Sequence, residues 1–118
     1  MAFRFEQLEI WREAGKYAEK IYNITKKFPR EELFGLTNQL KRSASSISAN
    51  IAEGSGSGSK KDFSNYLNIA NKSIYETVSH LYLAQKQNYI SEKNREELYS
   101  EAEILVKRIQ AFKKWLNR

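Results

Sequence analysis

Apolar residues recur every three or four positions along most of the chain, the spacing of one face of an α-helix. Four such stretches are legible. The first covers Phe5 to Lys27, with Leu8, Trp11, Gly15, Ala18, Tyr22 and Thr25 on one face and Ala14 and Ile21 beside them. Glu9, Glu13, Lys16 and Lys20 lie opposite, as a solvated face. The second covers Leu36 to Gly54 and aligns Leu36, Leu40, Ala44, Ile47 and Ile51. The third runs from a Ser59 cap to near Gln87 through Phe63, Leu67, Ala70, Ile74, Val78 and Leu81, with Tyr66 and Tyr82 alongside. The fourth follows Ser91 and carries Leu98, Ala102, Leu105, Ile109, Phe112 and Leu116. No strand pattern interrupts them. The expected fold is all-α: one domain over residues 1–118, an antiparallel up-down-up-down four-helix bundle, because short links make sequential helices reverse direction.

The links carry their own signals. Phe28-Pro29 ends the first helix, since a residue before proline is pushed out of the α region. Pro29 is placed to open a short helical piece, Arg30, Glu31 and Glu32 put acids in its first turn, and Gly35 marks a break. GSGSGS, from Gly54 to Ser59, reads as a connector. As a flexible coil it spans roughly 13 Å, enough to join helices packed about 8–10 Å apart. Ser59 with Asp62 makes a capping-box-like start, Asn88 tolerates a left-handed C-terminal cap, and Ser91 caps the last helix.

The second helix stands apart. Between Ser43 and Ala52 its only bulky side chains are Ile47 and Ile51. Ser43, Ser45, Ser46, Ser48, Ala49 and Ala52 occupy positions where a surface helix carries Lys and Glu. Short side chains let backbones approach closely, and seryl hydroxyls can bond to their own helix. A helix without a charged face is covered on more than one side. It is either central in the bundle or in contact with other subunits; Ser45, Ser48, Ala49 and Ala52 are the candidate oligomer contacts.

Composition narrows the function classes. The chain has 118 residues, 41% hydrophobic, which suits a single core. No apolar run approaches the ~20 residues of a membrane span. MAFRFEQLEIW places acids where a signal peptide needs an apolar segment, so a cytoplasmic location is expected. The absence of Cys excludes disulfides, thiolate chemistry and Cys-ligated zinc. His80 is the single histidine; Glu76 sits four residues before it, without an HExxH or Glu-x-x-His pattern. Glu53 and Glu76 read as hydrogen-bonding groups rather than paired catalytic carboxylates. No catalytic residue, metal site or cofactor is therefore expected.

A net charge of +6 and a pI near 9.5 favour a polyanionic partner, RNA or DNA before an acidic protein. The glycine loop is no Walker loop: a helix precedes it and Lys61 holds the Ser/Thr place. Its amides, Lys60, Lys61 and the following helix N-terminus can still bind a backbone phosphate; a plain solvated connector is the other explanation. Lys41 and Arg42 interrupt the small residues of the second helix. Lys107, Lys114 and Arg118 share the outward line of the fourth, with Arg108 and Lys113 on either side and no acid from Val106 to Arg118. Trp115 adjoins the core stripe and reads as packing, not as a stacking platform.

Phe28-Pro29…Glu32, Gly35-Leu36…Gln39-Leu40, Ser46-Ile47…Asn50-Ile51-Ala52-Glu53-Gly54 and Ile69-Ala70…Ser73…Glu76 carry a resemblance. The chain resembles, over nearly its whole length, the four-helix-bundle proteins of the 23S rRNA intervening-sequence group. The resemblance implies a bundle assembling as a homopentameric, barrel-like ring with a basic surface. It also implies kinship with the accessory variability proteins of diversity-generating retroelements, which associate with a reverse transcriptase and nucleic acid. The chain departs from the family pattern at Ser57, where Arg commonly follows, and at Lys72, where Gly is common. The expected function is non-enzymatic phosphate-backbone binding by Lys41, Arg42, Lys60 and Lys61, with Lys107, Arg108, Lys113, Lys114 and Arg118 second. The alternative is a protein-interaction adaptor.

Overall fold

Leu8 is extended (φ -89°, ψ 122°) and divides what periodicity reads as one helix into a 3-10 turn, Arg4–Gln7, and α1, Glu9–Thr25. The computed structural model describes residues 3–118. Beyond α1 come a 3-10 turn at Arg30–Glu32, then α2, Leu36–Ser55, α3, Lys60–Lys86, and α4, Glu92–Leu116. The described residues form no strand. None of the helices is long and apolar enough to cross a membrane.

The buried face of α1 is Ile10, Ala14, Tyr17, Ile21 and Thr25. This corrects the sequence reading, in which Leu8, Trp11, Ala18 and Tyr22 led. Leu8, Trp11 and Ala18 flank the core, and Tyr22 is exposed. The two lines are neighbours on the same helix, and the polar tip of Tyr17 disguised the inner one. That hydroxyl is buried and donates to the Leu98 carbonyl at 3.1 Å, so α1 is tied to α4. Burial pushes its pKa well above the ordinary tyrosine value, with Glu101 and then Tyr99 adding to the shift. The face opposite is not merely solvated either. Glu13 pairs with Arg108 at 2.5 Å and Lys20 pairs with Glu101, both across to α4. These pairs are partly exposed and contribute little to stability.

α2 is the central element, packed against both α1 and α3. Leu40, Ala44, Ile47 and Ile51 are fully buried. The seryl hydroxyls behave as their type dictates. Ser43, Ser45 and Ser48 donate to carbonyls of their own helix at Leu40, Arg42 and Ser45. Toward α3, the Thr77 and Ser43 hydroxyls meet at 2.9 Å and Ser73 donates to Ser46 at 3.0 Å. A small hydroxyl seam therefore replaces bulk between α2 and α3.

The helix runs on through Gly54 to Ser55, so the first two of the six residues in the apparent glycine linker are helical. Glycine at this helical position permits close approach of α3. A Cβ on Gly54 would fall 2.7 Å from Phe63 Cδ1 and 2.8 Å from Tyr66 Cβ. Gly54→Val is expected to cost roughly 1–3 kcal/mol through overpacking, read as a lowered denaturation midpoint. Gly58→Ala, where a Cβ meets nothing within 4 Å, is the matched control and should change stability by less than about 0.5 kcal/mol.

The links are built as expected. Ser59 accepts from the Asp62 amide at 3.1 Å, Ser91 from the Asn94 amide at 3.0 Å, and Asn88 is left-handed at φ 64°. Gly35 brings no side-chain cap to α2. Instead Glu32 reaches over it: Oε1 accepts from the Leu36 amide at 3.0 Å and Oε2 accepts from the Tyr89 hydroxyl at 2.8 Å. A Cβ at Gly35 would sit 2.7 Å from Glu32 Oε1, so any side chain there would push the capping oxygen aside. Tyr89 also packs on Phe28 with ring centroids 5.2 Å apart. One carboxylate thus joins the α1–α2 and α3–α4 links.

The Leu36 amide, then the Tyr89 hydroxyl, hold the Glu32 carboxyl below its ordinary value, and the same contact raises Tyr89. The signs define a window. A depressed carboxyl stabilises above its unfolded pKa and loses that contribution as pH falls through its folded one. A raised tyrosine stabilises fully below its unfolded pKa and loses that contribution as pH climbs through its folded one. Denaturation midpoints of the wild type and Glu32→Gln are therefore expected to differ near neutrality and to converge in acid as pH falls through the lowered Glu32 pKa.

Candidate nucleic-acid interface

The positions of the helix ends decide where the cations gather. Asn117 of the α4 C-terminus donates to Ser64 Oγ of α3 at 2.8 Å, and Lys113 donates to Asn68 Oδ1 at 2.7 Å. The Phe63 and Phe112 rings meet at 5.4 Å. Arg4, from the first 3-10 turn, donates to the Ser55 carbonyl at 3.3 Å and lies 5.6 Å over the Phe63 ring. One end of the molecule therefore collects Lys60 and Lys61 from the first turn of α3 with Lys113, Lys114 and Arg118 from the last turns of α4. Arg4 joins them.

That end is electropositive through its side chains; the positive pole at the N-terminus of α3 is offset by the negative poles of α2 and α4, whose C-termini lie beside it. Asp62 is the acid in the first turn of α3. Among the described residues the ion pairs engage Lys20, His80, Arg95 and Arg108. None involves Lys60, Lys61, Lys113, Lys114 or Arg118. Lys60, Lys61 and Lys114 are exposed, while Lys113 donates to Asn68 and Arg118 donates to the Trp115 carbonyl.

Trp115 departs from the packing role expected of it. It is 53% exposed, rests on Phe112 at 5.5 Å, and carries the Arg118 guanidinium 3.9 Å over its ring. The core stripe ends at Leu116, one residue on, and turns the indole outward. Arg4 was missed because a continuous first helix would have carried it away from the other cations. The break at Leu8 carries no Pro or Gly in the sequence.

The remaining candidates lie elsewhere. Lys41 is half-buried with its ammonium 5.3 Å over the Tyr22 ring. Arg42 is exposed and shares a polar cleft with Phe34, Asn38 and Glu76. Lys41 is almost four turns from Ser55, about 20 Å along α2, so this pair does not join the basic end. Arg108 is engaged by Glu13. Lys107 is exposed and opens onto the α3–α4 groove. Ala49 is exposed, and Ser45, Ser48 and Ala52 are half-buried, so this small-residue face of α2 is accessible in the protomer. His80 Nε2 lies 3.3 Å from Glu76 Oε2, and its Nδ1 is buried with no partner among the described residues. The described residues contain no group of three side chains able to hold a metal ion.

Fold and charge together define a small helical protein with one basic end. More particularly, the chain belongs to the 23S rRNA-intervening sequence protein family, which it matches over residues 6–111. A solved relative is a protein of unknown function from the S23 ribosomal protein family of Bacteroides thetaiotaomicron. It is 30% identical, covers 89% of this chain and 98% of its own, and superposes with a TM-score of 0.81. No curated protein matches the chain.

Proposed function

We propose that this protein is a non-enzymatic cytoplasmic bundle that binds RNA or DNA through backbone phosphates, with little base specificity. One observation carries the reading: Lys60, Lys61, Lys113, Lys114 and Arg118 converge at one end without a carboxylate partner among the described residues. Phosphate is the anion that such a cluster suits, because each neutralised phosphate releases condensed counterions. The test is anisotropy with a labelled structured RNA and a duplex DNA at low salt. Binding is expected; its absence from both contradicts the reading.

In this account the helices run up-down-up-down. The approach of the α4 end to the start of α3, and of Tyr89 to Phe28 and Glu32, supports that course. Protomers assemble as a homopentameric ring through the Ser45, Ser48, Ala49 and Ala52 face, which family membership and its small residues support. Ala49→Trp is expected to lower the mass measured by light scattering. A wild-type mass for that variant, or a monomeric wild type, contradicts the assembly.

An adaptor role has its own support in Phe34, which is 91% exposed on the turn before α2. With the neighbouring Leu33, 50% exposed, it forms an apolar patch that suits a protein partner, such as the reverse transcriptase of a diversity-generating retroelement. Recovery of such an enzyme in a pull-down, lost in Phe34→Ala, favours this second reading.

A further inference from the structure

A groove between α3 and α4 lies along the bundle from the basic end. Ile74 and Val78 form part of its floor, Tyr75 and Tyr99 line it, and Lys107 and Glu103 stand along its rim, enclosing about 300 Å³. Tyr75 is 64% exposed, an aromatic ring left at the surface with no aromatic neighbour among the described residues. Tyr99 is half-buried, and the Arg95 guanidinium covers its ring at 4.6 Å. Asn68, which holds Lys113, lies two turns before Tyr75 on α3, about 10 Å along the helix.

We propose that this groove receives an unstacked base of a single-stranded nucleic acid, laid against Tyr75, while Lys113 and Lys107 hold phosphates along the strand. The proposal rests on the phosphate-binding reading above and names the form of nucleic acid that the same surface takes. Three features favour that occupant. Lys113 at the basic end and Lys107 on the rim flank an apolar groove, which matches a ligand that alternates anionic and flat aromatic parts. Every base has a π-face, so a tyrosine platform adds affinity without reading sequence. Glu103 keeps phosphate off its own side of the rim and can accept a hydrogen bond from a base amine. A duplex does not fit this site, because its bases are already stacked and cannot enter a groove.

The test uses the full chain, a labelled single-stranded RNA and a duplex of the same length. Tyr75→Ala is expected to weaken single-strand binding roughly 5- to 150-fold, the range of one lost stacking contact. Duplex affinity and the salt slope for single strands should stay as in the wild type, and Tyr75→Phe should restore single-strand affinity. Thermal midpoints of both variants, at an exposed site, serve as the folding control. Equal single-strand binding by wild type and Tyr75→Ala overturns the base site and leaves phosphate binding standing. A wild type that binds neither nucleic acid overturns both.

Discussion

Replacing Lys60, Lys61, Lys113 and Lys114 together by Gln is expected to weaken nucleic-acid binding by roughly three orders of magnitude at 0.1 M salt. The size follows from counterion release. Each phosphate neutralised contributes about 0.7–0.9 to the slope of log affinity against log salt, so four contribute about 3. At a tenth of molar salt, that slope is worth about a thousandfold relative to 1 M. The fold should tolerate the change. Lys60, Lys61 and Lys114 are exposed, and Lys113 supplies only a surface hydrogen bond to Asn68. Lys41→Gln with Arg42→Gln is the informative comparison, since those cations lie apart from the basic end. A loss of equal size in that pair would move the site to α2.

Ile47→Ala is expected to destabilise the protein by about 3–5 kcal/mol, the upper part of the range for deleting a buried aliphatic side chain. Ile47 is fully buried near the middle of α2, the helix that packs on both α1 and α3. The surroundings cannot easily close over the cavity. The Ser43–Thr77 and Ser46–Ser73 contacts and the tight Gly54–Phe63 approach already fix the α2–α3 spacing. Since a domain of this size is stable by about 5–15 kcal/mol, this single change removes a large share. Denaturant titration measures it as a lower midpoint at an unchanged m-value. A loss under about 1 kcal/mol would show that α2 is not the central support.

Much of this fold was written in the residue pattern. The stripes of α2, α3 and α4, the Ser59 and Ser91 caps and the left-handed Asn88 all follow from local rules of spacing and capping. What escaped were effects of tertiary contact. The buried line of α1 was hidden because Tyr17 hides a polar atom by donating to Leu98 on a different helix. The need for glycine at position 54 comes from Phe63 and Tyr66, and the break at Leu8 carries no Pro or Gly. The Glu32 cap shows the same limit in another form. Its acids and glycine were legible as a helix start, but its reach to Tyr89 crosses the molecule.

The candidate site was legible as a list of cations and not as a place. Sequence spacing put Lys60 with Lys61 and grouped the cations of α4. Only the Asn117–Ser64 and Lys113–Asn68 contacts bring those two groups to one end and leave Lys41 and Arg42 outside it. Arg4 enters through its contact with Ser55, which no local pattern encodes.

The most direct test of phosphate binding at the basic end is a salt titration of RNA affinity, run on the wild type and on the fourfold Lys→Gln variant. A wild-type slope of log affinity against log salt near -3 or steeper, flattened by about 3 in the variant, is the predicted result. A slope near zero in the wild type, or equal slopes in the two proteins, would contradict it.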